Sequence, residues 1–379
     1  MNFELSDELK MLREMAYKFA VTEFTPLIRE CDEHEKYTPE IRKKAAENGL
    51  VGAWVPEEYG GPGAGFLGNA IITEELSRVD MGIGLNVIAA AFGCEAIFQN
   101  GTEEQKQKYL PPVCRGEWVA AGAYTEPNAG TDVAGYKTRA VRDGNDFVIN
   151  GNKMFITNGT VCDFMVVQAI TKPEEKKHNS FSMIIVDADT KGITRNKIKG
   201  KMGIRASDTA EIAFEDVRVP QSNLLGKEGR GFYQLMHFFD TTRSMIAGQA
   251  LGLSIACLEA SVKYCKERTA FGRPLTKFQN TQFEIVDMAT EVKLGRTFID
   301  KLIADHMEGK NIVVEVSMAK YWTTDMASRT ADRCMQLFGG YGYCEEYPIA
   351  RAWRDIRVTR IFAGTNEIMK MIAARFMGL

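Results

Sequence analysis

Twice along this chain the spacing of apolar side chains changes period, and that alternation restricts the fold more than any single motif. The first stretch, to about residue 120, has a helical period. Leu9, Leu12, Met15, Phe19 and Val21 form a stripe behind Ser6, which can cap a helix carrying Asp7 and Glu8 in its first turn. Thr38-Pro39-Glu40 opens a second helix, with proline where a missing N–H costs nothing. Helices are predicted over 69–79 and 83–99, and Thr102-Glu-Glu-Gln105 is a capping box for another that ends before Pro111-Pro112. Strand character then takes over. Phe147-Val-Ile149 runs into Asn150-Gly151, a hairpin signal, followed by a strand through Thr157 and by strands over 164–170, 181–186 and 211–214. From Gly229 the helical period returns, predicting helices over 229–268, 277–309, 311–338 and 365–376. The order implies an α+β chain: an N-terminal helical domain (1–120), a middle β-barrel or sandwich domain (121–225) and a C-terminal four-helix bundle (226–379).

Composition excludes several classes. At 379 residues the chain is long for one core, and its net charge of -3 gives no nucleic-acid footprint. No run reaches eighteen apolar residues, so no membrane span is expected. The N-terminus is acidic within its first ten residues, which argues against a targeting peptide and for a cytoplasmic protein. Eight cysteines without a C-x-x-C pair fit reduced thiols, and four histidines without ligand spacing predict no metal site. Gly63, Gly65 and Gly68 formally match G-x-G-x-x-G, but no strand precedes them, so the segment reads as a loop entering a helix.

Two stretches in the middle block have the makings of a site. Tyr124-Thr-Glu-Pro-Asn-Ala-Gly-Thr-Asp132 gathers Thr125, Pro127, Asn128, Gly130 and Thr131 into a polar turn that lets backbone approach a ligand. In Lys153-Met-Phe-Ile-Thr-Asn-Gly159, alternation predicts Phe155 and Thr157 on one strand face and Met154 and Ile156 on the other. An aromatic with a hydroxyl two residues on can cover a flat ring and hydrogen-bond its edge. Taken singly, a sheet corner and a half-buried strand would read the same way.

In order, these stretches are followed by Phe239-Asp240 with Arg243, Glu267-Arg268 with Phe271-Gly272-Arg273, Gln336-Leu-Phe-Gly-Gly-Tyr-Gly342, Arg354-Asp355 and Gly364-Thr365-Asn366-Glu367. The series resembles the acyl-CoA dehydrogenase family over essentially the whole chain. The resemblance implies FAD as cofactor, an acyl-CoA substrate, a homotetramer and electron transfer to an electron-transferring flavoprotein. Residue by residue it implies that Tyr124, Thr125, Gly130, Thr131, Phe155 and Thr157 surround the flavin. Arg268, Phe271, Gln279, Gln336 and Gly340 would hold the pyrophosphate and adenosine, largely from a neighbouring subunit, with Thr365 and Glu367 near the C-terminus. Asp240 and Arg243 match a pair near the CoA arm and active site, with Ala91, Thr131, Thr242, Phe362, Ala363 and Gly364 along the substrate. An arginine suits a phosphate because its planar fork pairs two oxygens at once.

The chain departs from that pattern at the base. Most members carry a glutamate directly before the C-terminal Gly-Thr, where this chain has Ala363; a minority carry it just before the arginine of the Asp-x-x-Arg motif, where this chain has Thr242. A threonine hydroxyl is too weak to stand in. The predicted helix 83–99 contains one charged residue, Glu95, which on helical spacing shares a stripe with Val87, Ile88, Ala91 and Phe92. Burial would raise its pKa toward a useful range for a base; the alternatives are a carboxylate paired to arginine or one reaching solvent. The resemblance makes that helix the floor of the acyl pocket, and a base there would reach a carbon beyond the thioester's neighbour. That geometry fits a 1,4-elimination on a cyclic or conjugated enoyl-CoA such as cyclohex-1-ene-1-carboxyl-CoA, as in some family members of anaerobic aromatic degradation. The same site in reverse would make an enoyl-CoA or aryl-propenoyl-CoA reductase. A flavin- and acyl-CoA-binding protein without catalysis is the rival from another class.

Overall fold

The computed structural model describes residues 5–379, so the first part of the acidic N-terminus lies outside the described residues. Helices occupy the chain to Cys114, strands lie between Ala120 and Pro220, and long helices run from Gly231 to Phe376. The α+β class follows from the periodicity as expected, and several local details do not.

In the first block, the side chain of Ser6 accepts a hydrogen bond from the Leu9 amide and caps the helix Asp7–Phe24. The helix Glu103–Cys114 opens with the complete capping box, Thr102 and Gln105 each satisfying the other's backbone N–H. Thr102→Ala is expected to cost about 1 kcal/mol, read as a lower urea midpoint with an unchanged slope. This helix does not stop at Pro111-Pro112 but runs through both. The carbonyls that two missing N–H groups leave free are those of Gln107 and Lys108, both exposed residues that water can serve.

The expected helix 83–99 is broken. It forms Met81–Ile88 and Cys94–Asn100, separated by a non-helical span. There Ala90 O accepts from the Ala120 amide at 2.8 Å and Ala91 bridges to Ala120, so the span lies along the edge of the sheet. Asn158 Nδ2 donates to Ala89 O at 2.7 Å and fastens it further. Gly93 turns the chain back at φ +108, where an added Cβ would stand 3.2 Å from Ala121 O. Glu95 therefore opens a new helix and does not share a stripe with Val87 and Ile88.

Seven strands form the middle sheet. Ala120–Ala123 lies parallel to Phe164–Ile170, which pairs antiparallel with Phe181–Asp187. Arg139–Asp143, Asp146–Thr157, Thr209–Pro220 and Ile193–Lys197 continue it in antiparallel pairs. The hairpin is not at Asn150-Gly151. It turns at Gly144-Asn145, and Asp146–Thr157 passes straight through the predicted turn. Two facts explain why. Asn150 spends its side chain on Asp216 across the sheet, and a Cβ at Gly151 would collide with Thr138 at 2.5 Å. That glycine serves close strand approach, not reversal. One sheet face encloses Phe147, Ile149, Met165, Val167, Ile184 and Phe214. The opposite face turns Phe164, Val166, Phe181 and Met183 toward the N-terminal helices and the start of the helix Gly231–Glu267.

The C-terminal block packs Gly231–Glu267, Gln279–Met307, Val313–Phe338 and Asn366–Phe376, with an additional short helix at Pro348–Ile356. Gly231–Glu267, at 37 residues, is long and apolar enough to cross a membrane; 61% of its most apolar window is buried within the fold. Its length and hydropathy are those of a helix surrounded by others on most sides.

Candidate active site and cofactor site

The turn at Thr125 and the strand ending at Thr157 are tied together by a buried ion pair. Lys153, fully buried, places Nζ 3.0 Å from Glu126 Oε1 and 2.9 Å from Tyr124 O. Glu126 also accepts from the amides of Lys137 and Thr138, and the Met154 amide donates to Thr125 O at 2.8 Å. Burial lowers the Lys153 pKa to about 8. Burial opposes ionisation of Glu126 too, but the Lys153 charge and those amides overcome it and hold its carboxyl below the ordinary value. Both residues stand inside the sequence stretches that mark the site. Their charge at positions flanking a turn and an apolar strand was the available signal for this clamp.

Beyond the clamp, simple alternation fails. A bulge between Lys153 and Ile156 puts Phe155 at φ +59, so Phe155 and Thr157 do not share a face by regular pleating. Phe155 instead stands 63% exposed, with Thr125 and Thr157 partly exposed and Gly130 and Thr131 exposed. The Tyr124 ring is buried, its hydroxyl without a hydrogen-bond partner.

Phe92 and Tyr124 both meet Phe238 edge-on, at 5.0 and 5.6 Å between centroids. Asp240, Thr242 and Arg243 follow on the same helix. Arg243 is buried, with Nη1 3.3 Å from Asp240 Oδ1 and Nε donating to Ala363 O at 3.3 Å. Burial raises the Asp240 pKa against the pull of Arg243, and lowers that of Arg243. Thr242 Oγ1 donates to Phe238 O, so its hydroxyl serves the helix. Ala363 and Gly364 both have left-handed backbones, at φ +52 and +98, beside a partly buried Phe362.

Glu95 is partly buried at the start of its helix. One carboxylate oxygen accepts from the Gly93 amide at 3.3 Å, and no cation lies within ion-pair distance among the described residues. Burial pushes its pKa up to about 7, against the downward pull of the Gly93 and Glu95 amides; burial first, and then the Glu95 charge, raises that of Tyr124. The arginine-paired alternative for Glu95 does not apply.

A second group of predicted residues sits elsewhere, at the end of the bundle. Arg268, Gln336 and the backbone of Gly339 and Gly340 line a cavity of about 430 Å³. The Arg268 guanidinium stands 5.4 Å from the centroid of Tyr341. Phe271, at φ +50, is 95% exposed, and Gln279 is exposed at the start of its helix. Thr365 caps the last helix by accepting from the Ile368 amide, and Glu367 lies in its first turn, exposed. All eight cysteines are free, and no cluster of metal-ligating side chains occurs among the described residues.

Three family models tile this architecture: the acyl-CoA dehydrogenase N-terminal domain over residues 6–117, the middle domain over 121–217 and the C-terminal domain over 229–378. Fold and matches define a three-domain, flavin-dependent oxidoreductase. The chain belongs to the acyl-CoA dehydrogenase family, FAD-dependent enzymes that act on the CH–CH group of acyl-CoA. It is similar to an acyl-CoA dehydrogenase from Geobacillus kaustophilus, at 45% identity and TM-score 0.94, covering 99% of each chain. A chain of the structure described as the electron transferring flavoprotein of Acidaminococcus fermentans, toward a mechanism of flavin-based electron bifurcation, matches at 40% identity and TM-score 0.96, covering 100% of this chain and 99% of that one. Acryloyl-CoA reductase (NADH) of Anaerotignum propionicum is 39% identical, over 99% of this chain and 95% of that protein.

The residues present fit FAD. Phe155 and Phe271 are large rings turned outward from left-handed backbone, as a flat apolar partner requires. At the cavity by Arg268, a Cβ on Gly339 or Gly340 would meet nothing within 4 Å, leaving backbone open to an anion.

Proposed function

We propose that the chain dehydrogenates an unsaturated, cyclic or conjugated acyl-CoA such as cyclohex-1-ene-1-carboxyl-CoA by 1,4-elimination, with Glu95 as base. The observation that carries this reading is the state of Glu95: a partly buried carboxylate without an ion-pair partner among the described residues, near neutrality in pKa, in a chain whose two usual base positions hold Ala363 and Thr242. Bound FAD supplies the hydride acceptor. Thr125, Gly130, Thr131, Phe155 and Thr157 would hold its ring over buried Tyr124. Arg268, Phe271, Gln279, Gln336 and Gly340 would hold its pyrophosphate and adenosine, with Thr365 and Glu367 close by. Phe271 and Gln279 are exposed, and an exposed ring and amide are free to meet a neighbouring subunit of a homotetramer. Asp240 and Arg243 would orient the thioester against Phe362, Ala363 and Gly364, beside Thr131 and Thr242. Glu95 would then take a proton from the CH2 just beyond the far end of the double bond. That C–H pair becomes a new double bond, the original π pair moves over by one bond, and hydride leaves the CH2 on the other side, so that a conjugated diene replaces the single alkene. Ala89, Ala90 and Ala91 give the floor room for a ring. Electrons would pass to an electron-transferring flavoprotein, in keeping with the Acidaminococcus relative.

The same groups run backwards would reduce an enoyl-CoA or aryl-propenoyl-CoA with Glu95 as acid, and the similarity to an acryloyl-CoA reductase favours keeping that direction in view. The test is anaerobic bleaching of the holoenzyme's flavin by butyryl-CoA, cyclohexanecarboxyl-CoA and cyclohex-1-ene-carboxyl-CoA. Bleaching by the unsaturated ring alone is expected. Rapid bleaching by butyryl-CoA would place a base at the usual carbon and overturn the reading. Thioester binding without any bleaching would leave a reductase of another substrate or a binding protein. The base must be ionised, so kcat/KM for dehydrogenation is expected to climb about tenfold per pH unit below neutrality and to level off above the Glu95 pKa of about 7. A flat profile from pH 5 to 8 would exclude Glu95.

A further inference from the structure

Lys320 is the buried charge that the reaction just described leaves unused. It lies on the helix Val313–Phe338 among Val316, Ala319, Thr323 and Thr324, fully buried. No carboxylate stands within ion-pair distance of it among the described residues. Its ammonium donates instead to Gly364 O at 2.8 Å and to Asn366 Oδ1 at 3.1 Å. The Asn366 amide is itself fixed, with Nδ2 donating to Thr324 Oγ1 and Asp325 Oδ1, both at 2.9 Å, so its oxygen is committed to the lysine side. Arg243 meanwhile donates to the preceding carbonyl, that of Ala363. Two buried cations from two helices thus grip two consecutive carbonyls of a turn whose residues are both left-handed.

A left-handed alanine is sterically disfavoured and persists only where its surroundings hold it. Charge-assisted hydrogen bonds are the stronger kind, and a carbonyl facing a desolvated ammonium is drawn toward it. Burial lowers the Lys320 pKa to about 7, and the charges of Arg243 and Arg360 lower it further against Asp325 and Glu367. Keeping a charge there at this cost implies that the turn is its purpose.

We propose that Lys320 is a positioning residue: with Arg243 it fixes the Ala363-Gly364 turn in the conformation that receives the CoA thioester. This rests on the reading that the turn faces the thioester, and is independent of Glu95. In the flavin-loaded holoenzyme, the dissociation constant for a thioester is read from the shift it induces in the flavin spectrum, with flavin content and melting temperature measured alongside. Lys320→Met is expected to raise that constant about tenfold or more, the scale of one charge-assisted hydrogen bond, with flavin content retained. Ala363→Val, which puts a β-branched residue at positive φ, separates the two ideas. Wild-type affinity in Lys320→Met with weakened binding in Ala363→Val overturns the positioning role. Wild-type affinity in both overturns the placement of the turn at the thioester, and the proposal with it. Should Lys320→Met fail to fold, Thr324→Val, which loosens Asn366 and frees only the main-chain carbonyl of Lys320 while leaving its ammonium in place, is used with the same arms and a smaller shift of the same sign.

Discussion

Glu95→Gln is expected to slow flavin bleaching by cyclohex-1-ene-carboxyl-CoA by about a hundredfold to ten-thousandfold, the range that a positioned base contributes. Glutamine keeps the shape of the side chain and can still accept from the Gly93 amide, so the start of the helix Cys94–Asn100 should survive. What disappears is the ability to ionise. The flavin spectrum and the thioester dissociation constant should therefore stay near wild type while the bleaching rate falls. That split between binding and rate separates a catalytic loss from a collapsed pocket. Bleaching at the wild-type rate would remove Glu95 from the chemistry, because neither Ala363 nor Thr242, whose hydroxyl is bonded to Phe238 O, offers a base.

The second large effect concerns stability. Glu126→Ala would leave the fully buried Lys153 ammonium with one carbonyl partner and would strip the amides of Lys137 and Thr138 of their acceptor. Breaking one side of a buried pair costs about 3–5 kcal/mol, and the loss should be read as a lower denaturation midpoint together with lower flavin content. Removing both charges, as Glu126→Gln with Lys153→Met, should recover part of it, since the largest share of the penalty is the stranded charge. The pair also sets a sign for pH. The Glu126 pKa is lower in the fold than its ordinary 4.5, so its contribution is complete above that value and is lost as the pH falls through the lower folded value. A Glu126→Ala variant as stable as wild type would mean that water reaches Lys153 and that the clamp holds nothing.

The three-block order was legible because it depends on periodicity, which survives in sequence whatever the loops do. The stretches around Thr125 and Thr157 meet in the fold through Lys153, Glu126 and the Met154 amide, and each is contiguous, so its own residues stay together wherever the chain goes. What misled was local chemistry overruled by distant partners. Asn150-Gly151 reads as a turn until Asp216 and Thr138 come across the sheet to use it. The stretch 83–99 is mostly apolar, with Gly93 the one local break near its middle; the strand at Ala120, thirty positions away in sequence, interrupts the helix. Phe155 belongs to an alternating pattern, and a bulge turns it outward. Lys320 was available in the sequence as a lone charge on a small-residue helix face, but its partners at Gly364 and Asn366 are visible only in three dimensions. Glu95 is legible as the sole charge of its segment, although the helical stripe it would share with Val87 and Ile88 does not form.

The non-helical span at Ala89–Ala91 is fastened through its main-chain carbonyls, to the Ala120 amide and to Asn158. Its side chains take no part in that attachment. Residues there can therefore drift without undoing the fold that holds them, provided they stay small enough for the space. On the reading proposed for Glu95, in which this span is the acyl floor, a floor anchored by backbone and furnished by side chains is an evolvable one: substitutions there would retune which acyl groups are accepted while the frame around them stands still.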